Sequence, residues 1–179
     1  MELLNRDGEL TFVVKGVQAP KDPLSVEQKE RLLKWAEALE SDKYQQGRGC
    51  LRQHSAKDGN TIYNGFCCLG VACEISKLGE WVSENDELED KIVYTTTVFT
   101  DEPGGCTTYD VLHLPGLVKE WYGLRGIYGF ASSLISVSSG EDSSLNLAQL
   151  NDKGRIPFKE LAKLIRAYAE GGYTAPPSE

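Results

Sequence analysis

The chain has 179 residues, of which 40% are hydrophobic and 26% are charged, and its formal net charge is -8 at pH 7. That length fits one globular domain with a single substantial core. The acidity disfavours binding to duplex nucleic acid or to an anionic membrane, because the phosphates of either would repel the summed field of the chain. The sequence contains no signal peptide pattern and no apolar run long enough to cross a bilayer, so we expect the protein to stay where it is made.

The N-terminal region contains turn, strand and helix signals in that order. Residues 9–15 are rich in β-prone side chains and follow a turn at residues 5–8, so residues 1–22 are predicted to form a strand and a connector. Ser25, followed three residues later by Gln28, makes a capping box that starts a helix. The apolar residues of this helix recur at helical spacing and are predicted to face the core: Leu32, Trp35, Ala36 and Leu39.

A basic segment, residues 43–57, follows the first helix. It contains four basic residues and no acidic one: Lys43, Arg48, Arg52 and Lys57. Gly47 and Gly49 interrupt any helical pattern, and residues 50–67 are predicted to form two short strands joined by a turn at residues 57–60. The basic segment is therefore predicted to lie on a loop and a strand.

The most apolar stretch, residues 66–79, is predicted to be a buried helix that ends at Gly79. Gly70 inside this helix costs about 1 kcal/mol relative to Ala, so we expect it to let another backbone pack closely. The five cysteines are an odd number in a chain without a secretory signal, which favours reduced thiols and no disulfide bridge. The cysteines of this helix are predicted to fill core volume.

The remaining sequence alternates between strand and helix signals. Residues 80–91 are acidic and are predicted to be a surface segment or a short helix, and residues 91–100 are predicted to be a strand with a hairpin partner at 106–114. Further predictions are helices at 115–124, at 144–152 and from Pro157, with a loop at 138–144, no assigned element at 125–137 and a flexible tail at 171–179.

These elements predict an α+β fold. We expect one domain over residues 1–179, with a small antiparallel sheet packed by about four helices. The last helix is predicted to face the core with one apolar side, formed by Phe158, Leu161, Leu164, Ile165 and Tyr168.

Four short blocks occur in a specific order and spacing. They are Trp-Ala-Glu-Ala-Leu at 35–39, Gln-Gly-Arg-Gly-Cys-Leu at 46–51 after Lys43 and Tyr44, Phe-Cys-Cys-Leu-Gly-Val at 66–71 with Cys73, and Leu147 to Asp152 with Gly154 and Phe158. Over residues 33–77 and 115–166 the chain resembles a group of small uncharacterised proteins encoded by bacteriophages and prophages. The resemblance does not cover residues 80–114, which we therefore interpret as an elaboration of the domain. It carries no catalytic residue and no ligand. It implies a phage accessory protein that acts in the cytoplasm of the bacterial host.

The basic segment is the candidate binding site. Arginine side chains offer planar forks of donors that match a phosphate, glycines let a backbone approach an anion, and an aromatic ring can stack on a base. The candidate ligand-binding residues are Lys43, Tyr44, Gln45, Gln46, Arg48, Arg52 and Lys57, with Gln45 and Gln46 as readers of a base edge. The alternative is a solvated loop whose cations pair with the acidic residues of 80–90.

The sequence offers weaker candidates for catalysis or metal binding. A thiol nucleophile needs a nearby base, and neither His54 nor His113 has a spacing that ties it to a cysteine. The cysteines do not have the paired spacing of a structural zinc site, so the sequence predicts no metal site. It also predicts no catalytic residue and no cofactor. Asp152 is interpreted as an acid that caps a loop or helix end. Glu74 is either a buried acid that faces the basic segment or a surface residue.

Three classes of function remain open. The favoured class is a non-enzymatic binder that sequesters a small phosphate-bearing nucleotide, such as a host immune signal. The alternatives are a protein-binding inhibitor of a host enzyme or effector, and a cysteine-dependent or metal-dependent hydrolase. Neither duplex nucleic acid nor a membrane is expected as a partner. The sequence leaves open a homo-oligomer in which two subunits enclose the ligand.

Overall fold

The computed structural model describes residues 1–57, 61–86, 89–98, 106–152 and 156–174. For residues 54–57, 61–63, 84–86, 89–91, 97–98, 106–109 and 174 it describes the backbone alone. The helices in these ranges are α1 (Val26–Glu40), α2 (Cys68–Ser76), α3 (Gly116–Tyr122), α4 (Leu147–Asp152) and α5 (Phe158–Ala169). The strands are β1 (Glu2–Leu4), β2 (Leu10–Val17), β3 (Gln45–Gln46), β4 (Arg52–Lys57), β5 (Thr61–Phe66), β6 (Glu80–Asp86), β7 (Glu89–Val98), β8 (Cys106–Asp110), β9 (Ala131–Ser136), β10 (Asp142–Asn146) and β11 (Tyr173–Thr174).

Within the described ranges the strands form three sheets. The largest has the order β1-β2-β9-β10, with β11 beside β2, and the other two have the orders β3-β5-β4 and β6-β7-β8. Neighbouring strands run antiparallel, except for the short parallel pair of β3 and β5. Five helices together with antiparallel sheets make an α+β fold, which confirms the predicted fold class.

Helix α1 begins where its sequence predicts. Gln28 N donates to Ser25 Oγ and Ser25 N donates to Gln28 Oε1, both at 3.1 Å, so the capping box is complete. The four apolar residues predicted for the core are all buried: Leu32, Trp35, Ala36 and Leu39. Trp35 Nε1 also donates to Cys68 O at 3.0 Å, which joins α1 to the start of α2.

Helix α2 is buried as predicted, but it ends before Gly79. Its last residue is Ser76, and Lys77 follows in the left-handed conformation with a φ of 56°. The predicted close packing at Gly70 is confirmed, because a Cβ there would overlap the carbonyl oxygen of Leu51. Leu51 O also accepts from Cys67 N at 3.1 Å, so the chain just before β4 lies directly on the first turn of α2.

Residues 80–86 form strand β6 and not the predicted short helix, and its described side chains are exposed or half-buried, as the predicted surface segment requires. This strand pairs antiparallel with β7, from Glu80 opposite Thr95 to Asp86 opposite Glu89. The predicted hairpin partner is confirmed as β8, which pairs with the other edge of β7. Pairing with β7 outweighs the acidic sequence of β6, because strand formation depends on cross-strand neighbours more than on composition.

The largest sheet comes from segments for which the sequence signals are weak. Residues 1–22 contain two strands instead of one, and β9 lies in residues 125–137, where no element is predicted. Strand β10 begins inside the predicted loop at 138–144, and β11 pairs with β2 inside the predicted flexible tail. The rest of that tail, residues 175–179, lies outside the described residues. The pairings of β2 with β9 and with β11 join segments far apart along the chain, so local sequence does not indicate the sheet that they form.

Helix α5 packs against α1 and completes a single contiguous core. The apolar residues predicted for its inner side are all buried: Phe158, Leu161, Leu164, Ile165 and Tyr168. The ring of Tyr168 stacks on that of Phe130, just before β9, with 4.3 Å between ring centres. Among the described residues, no helix is both long enough and apolar enough to cross a membrane.

Candidate functional site

The seven predicted ligand-binding residues do not converge on one point. The first four lie between the end of α1 and the end of β3: Lys43, Tyr44, Gln45 and Gln46. Arg48 lies in the loop of residues 47–51, which we call the Arg48 loop, and Arg52 is the first residue of β4. Lys57 ends β4, and its side chain lies outside the described part of the chain.

The Arg48 loop is held by a fully buried side chain, Asn151 of α4. Asn151 Oδ1 accepts from Gln46 Nε2 at 3.0 Å and from Cys68 N at 3.3 Å, and its Nδ2 donates to Gly47 O at 2.9 Å. Gln46 Nε2 also donates to Ile156 O at 2.9 Å. The amide nitrogen of Gln46 therefore supports the loop. The predicted role of Gln46 in reading a base edge would require this same nitrogen.

Asp152 and Gln53 fix the loop from its other sides. Asp152 Oδ1 accepts from Gly49 N at 3.1 Å, which confirms the predicted loop-capping role. Gln53 Nε2 donates to Arg48 O at 2.6 Å, and Gln53 Oε1 accepts from Arg48 N at 3.4 Å. Because side chains from α4 and β4 hold the backbone, Arg48 projects from a fixed base.

A pocket of about 200 Å³ opens beside this loop, and we call it the Arg6–Arg48 pocket. It is lined by Arg6, Gln46, Gly47, Arg48 and Gln53. Arg48 Nε is buried and has no hydrogen-bond partner, and Arg6 donates a bond of 3.4 Å to Gln46 Oε1. Among the described side chains, neither arginine forms an ion pair with a carboxylate. The pocket therefore carries two positive charges and a buried donor without an acceptor.

Sequence reasoning does not find Arg6. It lies in the turn between β1 and β2, where Asn5 Oδ1 accepts from Asp7 N and from Glu9 N at 2.9 Å each. The residues of this turn predict the turn itself, because Asn side chains favour such local bonds. They do not predict that the turn lies beside Arg48, since that position depends on how the largest sheet packs against the Arg48 loop. A cation in a surface turn is no signal of a site by itself.

A larger groove of about 710 Å³ adjoins the pocket, and we call it the α5 groove. Arg6 and Gln46 line both cavities. Tyr44 and Gln45 line the groove on one side, and the start of α5 at Phe158 lines it on the other. Two of the predicted residues thus lie next to the Arg6–Arg48 pocket although they are not part of it.

The α5 groove also has acidic residues in its wall. Glu40 and Asp42 line it, and Glu40 Oε2 accepts from Arg166 at 2.6 Å, so that acid is already paired. Lys159, exposed at the start of α5, brings a further cation. The groove is thus mixed in charge, in contrast to the Arg6–Arg48 pocket.

Arg52 lies against aromatic rings and not in the pocket. Its guanidinium carbon is 5.0 Å from the ring centre of Phe66 and 5.4 Å from that of Trp81, and its Nε donates to Asn64 Oδ1 at 2.9 Å. The edge of the ring of Tyr44 meets that of Phe66, with 5.5 Å between ring centres. Arg52 and Tyr44 therefore both contact one aromatic cluster, which contains Phe66 at the end of β5 and Trp81 of β6.

Glu74 lies beside this cluster. Trp81 Nε1 donates to Glu74 Oε2 at 2.7 Å, and Lys77 Nζ pairs with Glu74 Oε1 at 3.1 Å. Burial alone would raise the pKa of Glu74, but these hydrogen bonds outweigh it and hold the pKa below the usual value. The charge of Arg52 acts in the same direction. Glu74 is therefore a half-buried carboxylate bonded to Trp81 and Lys77, and Arg52 is the residue of the basic segment whose charge reaches it.

The cysteines of the α2 region fill core volume, as predicted. Cys67, Cys68 and Cys73 are buried free thiols. Burial raises the pKa of Cys67 to about 12 and raises the pKa of the other two well above the usual value, so all three stay protonated at neutral pH. Burial also raises the pKa of the half-buried Cys50. Among the described residues, no group of three or more His, Cys, Asp or Glu side chains is arranged to hold a metal ion.

A family model described as "Domain of unknown function (DUF8296)" matches residues 27–169. The chain belongs to the DUF8296 family. A search of curated proteins found no match to the chain, and a search of solved structures found none either. The part that matches DUF8296 contains Arg48, Asn151 and Asp152 but not Arg6, which lies on the N-terminal side of it.

The four sequence blocks lie within the DUF8296 match and meet in the structure. Asn151 of the last block bonds Gln46 of the second and Cys68 of the third. Trp35 of the first block bonds Cys68 O, and Gly70 of the third packs on Leu51 of the second. The residues of the four blocks therefore contact one another and together hold the Arg48 loop in place.

Proposed function

We propose that this protein binds a small phosphate-bearing ligand of the nucleotide class, without turnover, in the Arg6–Arg48 pocket. The observation that carries the proposal is the buried Nε of Arg48, which has no hydrogen-bond partner. Leaving a buried donor unpaired costs about 1–3 kcal/mol, and more when the group is charged. A phosphate oxygen in the pocket would accept from this donor once the Arg48 side chain turns toward the cavity, because Nε is closed to solvent in the structure.

A phosphate suits the charge and the shape of the pocket. Arg6 and Arg48 both line the same cavity, and planar guanidinium groups bind phosphate oxygens with paired hydrogen bonds. Each such charge-assisted bond contributes about 1.5–3 kcal/mol. The acidic remainder of the chain favours a small ligand over a polyanion, because a long duplex would also meet that acidic surface.

The α5 groove supports a nucleotide over a bare phosphate. It adjoins the Arg6–Arg48 pocket and is lined by the aromatic ring of Tyr44 and by the exposed residue Gln45. Stacking a base on an aromatic ring contributes about 1–3 kcal/mol. With two charge-assisted bonds to the phosphate, these contributions sum to about 4–9 kcal/mol before ordering costs. Micromolar affinity needs about 8 kcal/mol net, so it requires paired bonds from both arginines in addition to the stacked base.

Sequestration without chemistry is favoured by the state of the thiols. The buried cysteines of the α2 region are protonated. A protonated thiol is a poor nucleophile, because the reactive form is the thiolate. The phage context rests on the resemblance of the four sequence blocks. On that basis we place the protein in the cytoplasm of an infected bacterium, where it would hold a nucleotide immune signal away from its receptor.

Denaturing release tests this function directly. The protein is purified under native conditions from bacteria that make such signals, then denatured, and the supernatant is examined by mass spectrometry. We expect one intact nucleotide in near-stoichiometric amount. Absence of any nucleotide in the supernatant, together with no heat of binding from a panel of mono-, di- and cyclic nucleotides, would refute the proposal.

A pair of double variants locates the site. Arg6→Gln with Arg48→Gln removes both guanidinium groups and should weaken nucleotide binding by at least about 100-fold. The matched control is Lys21→Gln with Lys29→Gln, which removes the same charge from exposed residues outside the pocket and should leave the affinity within about twofold. Equal losses in both double variants would mean that net charge, and not this pocket, determines binding.

A protein-binding inhibitor remains a second candidate because of an exposed apolar patch. Leu112 is 52% exposed and Tyr128 is 44% exposed, and the backbone bond from Leu114 N to Ile127 O brings their two segments together. An affinity pull-down from host lysate tests this candidate. This candidate is supported if one host protein is recovered in stoichiometric amount. The double variant Leu112→Ser with Tyr128→Ser should no longer bind that protein, whereas Arg6→Gln with Arg48→Gln should still bind it.

A further inference from the structure

A second pocket of about 360 Å³ lies between α1 and α3, apart from the Arg6–Arg48 pocket. Its wall is apolar and aromatic, with Ala38 from α1, Ile75 from α2, Trp121 from α3 and Tyr44. The pocket is within the size range of small-molecule sites, which are concave and mostly apolar with a few polar groups at the rim. We call it the α1–α3 pocket.

Cations line the rim of this pocket. Arg31, Lys34 and Lys43 all border it, against one acid, Glu37. Arg31 and Lys34 are three residues apart on α1, so both lie on the same side of the helix. Within the described part of the chain, no carboxylate pairs with any of the three cations. The rim therefore has a net charge of about +2 inside an acidic protein.

Two of these cations are positioned by the aromatic rings of the wall. The guanidinium carbon of Arg31 lies 4.4 Å from the ring centre of Trp121, and its NH1 donates to Trp121 O at 3.0 Å. The ammonium nitrogen of Lys43 lies 5.3 Å from the ring centre of Tyr44. Each cation is thus held beside an aromatic ring, so positive charge and aromatic surface lie next to each other in this pocket.

We infer that the α1–α3 pocket binds a small aromatic anion, a flat ring that carries one carboxylate, sulfonate or phosphate group. The ring would lie against Trp121, Ile75 and Ala38, and the anionic group would face the cations of the rim. Burying the ring removes apolar area from water, and the rim selects the anion over a neutral ring of the same shape. Lys43 then belongs to this site, although its sequence predicted a role in the phosphate site, and Tyr44 lines both this pocket and the α5 groove.

This inference does not rest on the proposed function. Tyr44 borders both the α1–α3 pocket and the α5 groove, but Arg6 and Arg48 do not line the α1–α3 pocket. Variants of Arg6 and Arg48 therefore test one site, and variants of Lys34 and Lys43 test the other.

A pair of fluorescent probes tests the inference. Anilinonaphthalene sulfonate is an aromatic anion, and phenylnaphthylamine is nearly the same ring system without the charge. We expect the folded protein to bind the anion at least about tenfold more tightly than the neutral probe. Equal affinity for both probes, or no binding of the anion, overturns the inference.

Variants of the full chain assign the probe to the pocket. Lys34→Glu with Lys43→Glu should lower the affinity for the anion at least about tenfold, whereas Lys21→Glu with Lys29→Glu, the same charge change at other exposed lysines, should not. Ala38→Trp should displace both probes by filling the pocket. Urea unfolding of each variant checks that it is folded. Unchanged binding in the rim variant, or an equal loss in the control, overturns the assignment.

Arg6→Gln with Arg48→Gln separates the two sites. We expect this variant to bind the anionic probe as the unmodified chain does, whatever the outcome of the nucleotide release experiment. A loss of probe binding in this variant would place the probe in the Arg6–Arg48 pocket and overturn the inference.

Discussion

Replacing Asn151 with Ala should destabilise the fold and loosen the Arg48 loop. Asn151 is fully buried and holds three other residues of the core and loop through its amide. Truncation leaves Gly47 O and Cys68 N without their side-chain partner, whereas Gln46 keeps its bond to Ile156 O. An unpaired buried group costs about 1–3 kcal/mol, so two of them together with the small cavity should cost about 3 kcal/mol or more.

Urea unfolding followed by circular dichroism measures this cost. The matched control is Gln149→Ala on the same short helix, which loses only the bond that Gln149 Oε1 accepts from Asn146 N at 3.0 Å. That loss should cost about 1 kcal/mol. If Asn151→Ala lowers the free energy of unfolding by no more than the control does, then the amide does not hold the loop as argued. A folded Asn151→Ala variant should also bind nucleotide more weakly, because Arg48 loses its fixed base.

Two further changes probe the packing of the core. Gly70→Ala should destabilise the fold by about 2 kcal/mol or more, because the new Cβ overlaps Leu51 O, whereas Gly116→Ala on α3 meets nothing within 4 Å and should be neutral or stabilising in urea unfolding. Equal stability of the two variants would contradict the close contact. Burial raises the pKa of Tyr168 to about 12, above the value near 10 of an unfolded chain, so the folded state resists ionisation. Its contribution is complete below pH 10 and should fall by about 1.4 kcal/mol per pH unit up to pH 12, a slope that Tyr168→Phe should reduce.

Much of the helical part of the fold could be predicted from local sequence. The capping box at Ser25 and the apolar spacing of α1 and α5 each lie within one helix, and all of these predictions are confirmed. The largest sheet could not be predicted in the same way. Strand β9 pairs with β2 across most of the chain length, and residues 125–137 contain too little apolar alternation to indicate a strand alone. The local sequence of β6 does not indicate a strand, because the residues that support this strand are its cross-strand neighbours on β7.

The candidate site divides along the same line. The glycines on both sides of Arg48 predict the loop from local sequence. The position of Asp152 predicts its capping role in the same way. The role of Gln46 could not be predicted, because its amide is used by Asn151, which comes from a helix about a hundred residues later in the chain. Arg6 could not be predicted either, since only the packing of the first turn against the loop gives it a role.

By itself, the sequence determined the fold class, the two longest helices, the buried cysteine helix and a basic loop in an acidic chain, because each depends on neighbours within a few residues. The tertiary structure alone decided which cations share a cavity. It placed Arg48 with Arg6, Arg52 on the rings of Phe66 and Trp81, and Lys43 beside Arg31. The distribution of charge along the chain suggests that an anion site exists. The geometry of that site depends on distances between side chains in space, and long-range packing sets those distances.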